Sequence, residues 1–121
     1  DKTNFNLLDY ANFKISNSLL YVKDNNLILD GQLIIEVKNY NEIYKLLQTP
    51  RDFRSEIKKV ELSFIHNFDQ KKMNINNIKI NGQVHDKVNN IIKEFTSTKN
   101  KLQNRIYLKN LMNKAIKSYA G

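Results

Sequence analysis

The segment Leu27-Ile28-Leu29-Asp30-Gly31-Gln32-Leu33-Ile34-Ile35-Glu36-Val37 decides the fold class of this chain. Apolar residues occupy every second position from Leu27 to Val37, with Gly31 in the middle of the series. Because successive side chains of a strand point to opposite faces, this period of two predicts a β-strand with one apolar face. At about 3.3 Å per residue the strand would be roughly 35 Å long. A glycine inside a strand often marks a bend, so we expect a long strand in a curved sheet.

A similar segment, Ile78-Lys79-Ile80-Asn81-Gly82-Gln83-Val84, follows 51 residues after the first, and an asparagine pair precedes each copy. We interpret the two copies as a duplicated β unit in which Gly31 and Gly82 are structural strand glycines that bend the sheet. Repeat arrays usually need three or more copies to be stable on their own. The two copies therefore predict an excised C-terminal part of a longer protein, whose other repeats would be partners of this domain.

The hydrophobic pattern elsewhere predicts further strands at 13–16, 19–23, 60–64 and 73–84, and it predicts helices at 41–47, 88–95 and 108–119. We therefore expect residues 1–121 to form a single α+β domain. It would contain a curved antiparallel β-sheet of about five or six strands, covered by C-terminal α-helices. Residues 1–84 would be mainly β with a short helix near 41–48, and residues 85–120 would be helical.

The apolar face of the strand at 27–37 has two interpretations. Leu27, Leu29, Leu33, Ile35 and Val37 would bury against the C-terminal helices, or they would line a groove for acyl chains. We favour core packing, because a long uncovered apolar face promotes aggregation.

Composition restricts the class of protein. The chain has 121 residues, 40% of them hydrophobic and 26% charged, which suits one folded domain. It contains no cysteine and no tryptophan, so disulfides and thiolate chemistry are excluded. No apolar run approaches the roughly 18 residues that a transmembrane helix needs.

Positive charge is concentrated in the second part of the chain. The net charge is +8: residues 1–50 have five Lys and six acidic residues, giving −1, and residues 51–121 have fifteen Lys or Arg and six acidic residues, giving +9. Such a distribution favours an anionic partner, namely an acidic membrane surface, nucleic acid or an acidic protein. The candidate residues for anionic-partner binding are Lys101, Arg105, Lys109, Lys114 and Lys117.

Two causes that involve no partner can also produce this positive charge. A helix packed in the core has a solvated lysine face, and an AT-rich genome favours Lys, Asn and Ile codons. We prefer lipid to nucleic acid as the anionic partner, because Tyr107 is the only aromatic residue beside the basic row and no aromatic strand motif for base stacking occurs.

The sequence contains no catalytic or metal-binding pattern. His66 and His85 have no partner at ligand spacing, and the pair Asp52 and Glu56 stands among basic residues that indicate an ordinary charged surface. The three glycines of the chain cannot form a phosphate-binding loop. We therefore expect no enzyme activity, no catalytic residues, no metal and no cofactor.

Three stretches resemble the C-terminal region of AsmA-like proteins of the bacterial envelope: 27–37, the strand at 60–64 followed by 78–84, and Asn104-Arg105-Ile106-Tyr107-Leu108-Lys109-Asn110-Leu111. This resemblance implies a non-catalytic module on the periplasmic side of an inner membrane. It also implies a structural or lipid-handling role in membrane or outer-membrane biogenesis, with a long curved β groove. The membrane anchor of such a protein would lie outside this chain. The alternatives are a basic module that binds nucleic acid and a protein-interaction domain.

Overall fold

A computed structural model of the chain describes residues 3–7, 9–96 and 105–121. Six strands form one sheet in chain order, and every neighbouring pair is antiparallel. The strands are β1 (Thr3–Leu7), β2 (Ala11–Lys23), β3 (Asn26–Val37), β4 (Lys59–Asn67), β5 (Lys72–Ile80) and β6 (Gln83–Val84). Helix α1 (Tyr40–Leu47) connects β3 to β4 through a 3-10 turn at Arg51–Phe53, and α2 (Asp86–Thr96) and α3 (Arg105–Ala120) follow the sheet. The predicted α+β class is confirmed.

The two copies of the repeated segment adopt different structures. The first copy forms β3 as predicted, and Gly31 lies buried inside it. The prediction for Gly82 was wrong, because this glycine lies in the turn between β5 and β6 and not within a strand. Asn81 and Gly82 both have positive φ angles, of 52° and 83°. Such angles are typical of a two-residue hairpin turn, for which Asn-Gly is the preferred sequence.

Neighbouring segments explain why the copies differ. β3 pairs with β2 on one side and with β4 on the other, so its backbone stays extended through Gly31. In the second copy the Asn81 side chain accepts hydrogen bonds from the backbone N–H of Lys58 (2.7 Å) and Lys59 (3.2 Å). Its amide donates to the carbonyl of Glu56 at 3.1 Å. These contacts hold the turn at Asn81 and Gly82, whereas β3 continues as an extended strand through the corresponding residues of the first copy.

The N-terminal half of the sheet is longer than predicted. The two short strands expected at 13–16 and 19–23 are one strand, β2, with a register shift between Ser16 and Leu19. Asn17, inside this shift, has a φ of 51°, which asparagine tolerates better than most residues. Strand β1, which was not predicted, precedes β2 and pairs with it. The register shift between Ser16 and Leu19 is of the kind that a β-bulge produces, and such a bulge bends a strand and increases its twist.

The helices lie on one side of the sheet. α1 begins after Asn39, whose side chain accepts a hydrogen bond from the N–H of Glu42 at 3.2 Å, and it ends at Gln48 in the left-handed conformation. α2 packs on β5, and α3 packs on α2 with further contacts to α1 and the 3-10 turn. The sheet face beneath the helices, here called the inner face, contains the buried core of Ile78 and Ile80, with Val88 of α2 packed against them.

The opposite face of the sheet, the outer face, is more polar. Lys14 of β2 and Glu36 of β3 form an ion pair there, and Asn17 donates a hydrogen bond to Gln32 at 3.0 Å. The hydrogen bond and the charge of Lys14 lower the pKa of the Glu36 carboxyl.

Candidate ligand-binding site

An apolar cavity of about 450 Å³ lies between the inner face of the sheet and the helices. Its walls come from both layers and contain no charged side chain. On the sheet side the principal lining residues are Ile35, Val37, Val60, Leu62, Ile78 and Ile80. On the helix side they are Tyr44, Val88, Ile92, Ala115, Ile116 and Tyr119.

Strand register explains the sheet wall. Ile35 of β3 pairs with Val60 of β4, and Val60 pairs with Ile80 of β5, so the three side chains form a row on the inner face. The predicted burial of the β3 apolar face against the helices is only partly observed. Ile35 and Val37 line the cavity, whereas Leu27 lies at the far end of the strand and is 39% exposed.

Two tyrosines of the cavity wall form hydrogen bonds through their hydroxyl groups. The buried Tyr44 donates to the carbonyl of Ser55 at 2.5 Å, and Tyr119 accepts from the Asn81 side chain at 3.2 Å. Burial raises the pKa of the Tyr44 hydroxyl, although the hydrogen bond to Ser55 opposes this effect. Because these polar atoms have partners in the protein, the cavity presents a hydrocarbon-like surface to a ligand.

Side-chain hydrogen bonds fix α3 over the cavity. The buried Thr49 hydroxyl donates to the side-chain Oδ1 of Asn113 at 2.5 Å, and the side-chain amide of Asn113 donates to the backbone carbonyl of Leu47 at 2.8 Å. Sequence reasoning missed both residues. The signal that could have found them was an asparagine in the middle of a helix, which is unfavourable unless its side chain finds a partner.

Two of the predicted anion-binding residues, Lys109 and Lys117, contact neighbouring elements. Lys109 donates to the Gln48 side chain at 2.6 Å, and the Lys117 ammonium lies 5.6 Å from the centre of the Phe53 ring. Both therefore lie on the side of α3 that faces α1 and the 3-10 turn.

The other candidate residues for anionic-partner binding are Lys114, Arg105 and Lys101. Lys114 lies 3.9 Å from Glu94 of α2, and Arg105 is exposed at the start of α3. Lys101 lies outside the described residues. The binding of an anionic partner by these residues stays a prediction.

The histidines and paired acids occupy ordinary surroundings. The ring of His66 contacts Phe68 at 4.6 Å between centroids, that of His85 contacts Tyr119 at 5.1 Å, and both Asp52 and Glu56 are exposed. Within residues 3–7, 9–96 and 105–121 there is no group of three or more acidic or histidine side chains arranged to bind a metal. The same part of the chain contains no helix with the length and hydrophobicity to cross a membrane.

Comparison with protein-family models, curated proteins and solved structures gives no match to this chain. The resemblance to AsmA-like proteins therefore stays a prediction from the sequence.

Proposed function

We propose that the domain is a non-enzymatic lipid-handling module that binds one hydrocarbon chain in the cavity between the sheet and the helices. The observation behind the proposal is the apolar cavity of about 450 Å³. Its volume lies within the range of about 300 to 1,000 Å³ that is usual for ligand sites. A lining without charged groups favours the hydrocarbon part of an amphiphile over a polar metabolite.

In this proposal the hydrocarbon chain enters at the rim between α1 and α3. Leu46 and Met112 line the cavity and are 65% and 43% exposed, so the cavity wall reaches the surface at these residues. Lys109 lies one helical turn before Met112 and contacts Gln48 at the end of α1. A ligand whose chain enters here would place an anionic headgroup near Lys109, consistent with the net charge of +8.

The cellular setting of this proposal comes from the resemblance to AsmA-like proteins. It would be the periplasmic side of a bacterial inner membrane, with a role in membrane or outer-membrane biogenesis. Fractionation of the native protein tests this part independently. Recovery from the cytosol would contradict the envelope setting and leave the binding activity to be tested on its own.

Titration with a fluorescent sixteen-carbon fatty acid tests the cavity. Ala115 of α3 lines the cavity, so Ala115→Phe fills space that the chain would occupy and is expected to weaken binding about tenfold or more. Ala120 lies on the same helix and is exposed, so Ala120→Phe is the matched control with unchanged binding. Thermal unfolding of both variants confirms that they are folded.

Two results would contradict the proposal. One is saturable binding that Ala115→Phe leaves unchanged, because the ligand would then lie elsewhere. The other is an absence of binding for palmitate, lysophospholipid and the fluorescent acid alike.

A further inference from the structure

Exposed apolar side chains are concentrated at one end of the sheet. This end, here called the hairpin end, comprises the turn between β2 and β3 and the turn between β4 and β5 with the strand residues beside them. The described part of the chain has ten large apolar side chains that are exposed, and six of them lie here. These are Leu19, Leu20, Val22, Leu27, Ile65 and Phe68, with exposed fractions between 38% and 70%.

Hydrogen bonds join the two hairpins into one structure at this end. The backbone N–H of Leu27 donates to the Asp69 carboxylate at 2.6 Å, and the N–H of Phe68 donates to the Leu27 carbonyl at 2.9 Å. The turns themselves are tight, since Asp24, Asn25 and Lys71 have positive φ angles. The exposed apolar side chains are therefore held on a common scaffold.

The apolar side chains of the hairpin end lie on both faces of the sheet. Leu20 pairs with Leu29, and Val22 pairs with Leu27, on the inner face. On the outer face, Leu19 and Ile65 flank Asp30, which pairs with both of them. A protein groove covers one face of a sheet, whereas a bilayer surrounds an inserted edge from both sides.

Basic residues accompany this apolar edge. Lys23, Lys71 and Lys72 are exposed beside the two turns together with Asp24 and Asp69, so the exposed charges at this end sum to +1. The nearby Asp69 carboxylate already accepts the hydrogen bond from Leu27. Apolar side chains bordered by lysines suit the interface of a membrane with anionic headgroups.

We propose that the hairpin end inserts into the interface of an anionic lipid bilayer. The inference rests on the proposed function, because a lipid-handling module must reach a bilayer. The hairpin end is nevertheless a separate site from the cavity. Leu29 and Leu33 of β3 are half-buried on the inner face between the hairpin end and Ile35 of the cavity wall. The apolar inner face is thus continuous from the hairpin end to the cavity wall.

Charge substitution at matched positions tests the proposal. Leu20 and Val22 are 60% and 70% exposed at the hairpin end, and Val84 and Ile106 are 60% and 71% exposed elsewhere. The double variants Leu20→Glu/Val22→Glu and Val84→Glu/Ile106→Glu therefore change net charge and exposed apolar surface alike. Sedimentation with phosphatidylcholine vesicles containing phosphatidylglycerol is expected to show binding reduced about tenfold or more for the first pair only.

A fluorescence experiment gives a second readout. The chain has no tryptophan, so Val22→Trp and Ile106→Trp each introduce a single probe. Emission of Val22→Trp should shift to shorter wavelength with the anionic vesicles, and emission of Ile106→Trp should not.

Three outcomes would overturn the membrane site: no vesicle binding by the unmodified protein, equal loss for both double variants, or a dimer in solution that only Leu20→Glu/Val22→Glu dissociates. The last would identify the hairpin end as a contact between copies.

Fatty-acid titration of the same variants separates the two proposals. If the hairpin end does not bind membranes, fatty-acid binding in the cavity is unaffected. If the cavity does not bind fatty acids, binding of the protein to vesicles is unaffected.

Discussion

The side chain of Asn89 on α2 forms two hydrogen bonds with the backbone of Ile78 on β5. Its oxygen accepts from the Ile78 N–H at 2.9 Å, and its amide donates to the Ile78 carbonyl at 3.3 Å. Within the described part of the chain β6 pairs with β5 at Lys79 and Ile80, and no strand residue there pairs with Ile78 on that side. Asn89 takes the place of the missing strand and holds α2 against the sheet wall of the cavity.

Replacing Asn89 should therefore destabilise the domain. Asn89→Ala leaves both backbone groups of the buried Ile78 without these partners, and we expect a loss of about 1 to 3 kcal/mol in the free energy of unfolding. Asn90 is exposed on the same helix, and Asn90→Ala is the matched control, with a change within about 0.5 kcal/mol. Denaturant unfolding measures both, and equal effects would show that Asn89 has no special role.

The two glycines should respond differently to alanine. A Cβ at Gly31 would lie 3.2 Å from the buried Phe64 ring, and a Cβ at Gly82 meets no atom within 4 Å, but its φ is +83°. We expect Phe64→Leu to relieve about 1 kcal/mol of the cost of Gly31→Ala in a double-mutant cycle. Gly82→Ala should cost about 1 to 2 kcal/mol through backbone strain.

Gly82→Asn provides the control for this comparison, because asparagine adopts left-handed angles more readily than alanine. It should retain most of the stability that Gly82→Ala loses. Additive effects of Gly31→Ala and Phe64→Leu would contradict the proposed contact between the two residues.

We expect the buried Tyr44 hydroxyl to lower the free energy of unfolding at alkaline pH. Burial raises the pKa of its hydroxyl, so the folded state retains the proton more strongly than the unfolded state does. The stabilisation from this hydroxyl is fully present below its pKa in the unfolded chain, which is about 10. It is lost as the pH rises through its higher pKa in the folded protein. The free energy of unfolding measured from about pH 8 to pH 11 should fall less steeply for Tyr44→Phe than for the unmodified protein. Tyr21→Phe, on the outer face, is the control and should keep the original slope.

The basic residues of α3 should affect stability more than nucleic-acid binding. Lys117 lies over the Phe53 ring, so Lys117→Met should lower the free energy of unfolding by about 0.5 to 1 kcal/mol. Lys87→Met, on α2, removes the same charge from an exposed site as a control. Gel-shift titrations of short duplex DNA over a salt series complete the test. The nucleic-acid alternative would gain if Lys117→Met weakened DNA binding about tenfold without changing stability.

Much of the fold was predictable because hydrophobic periodicity is a local property. The strand at β3, the short helix after it and the two C-terminal helices follow from alternation or helical spacing of apolar residues. The hairpin at Asn81-Gly82 could also be predicted from the sequence, since Asn-Gly is a strong turn signal. It was missed because the similarity to the first copy suggested a second long strand.

The site was much less predictable. Periodicity identified an apolar face on β3, but it did not show which part of that face the helices cover. The side-chain partners of Asn113 and Asn89 lie far away in the sequence or on another element, and Lys109 and Lys117 bind within the domain. Such pairings depend on how the helices pack against each other and against the sheet, which no local pattern encodes.

The sequence by itself determined an α+β chain with alternating strands, terminal helices and excess positive charge. Only the tertiary structure decided that one of two similar segments becomes a continuous strand and the other a hairpin, because their neighbours supply different hydrogen bonds. It also placed the cavity under the helices and left the apolar hairpin end uncovered. The physical reason is that α3 is positioned by contacts between residues far apart in the sequence, such as Thr49 and Asn113, which no local pattern specifies.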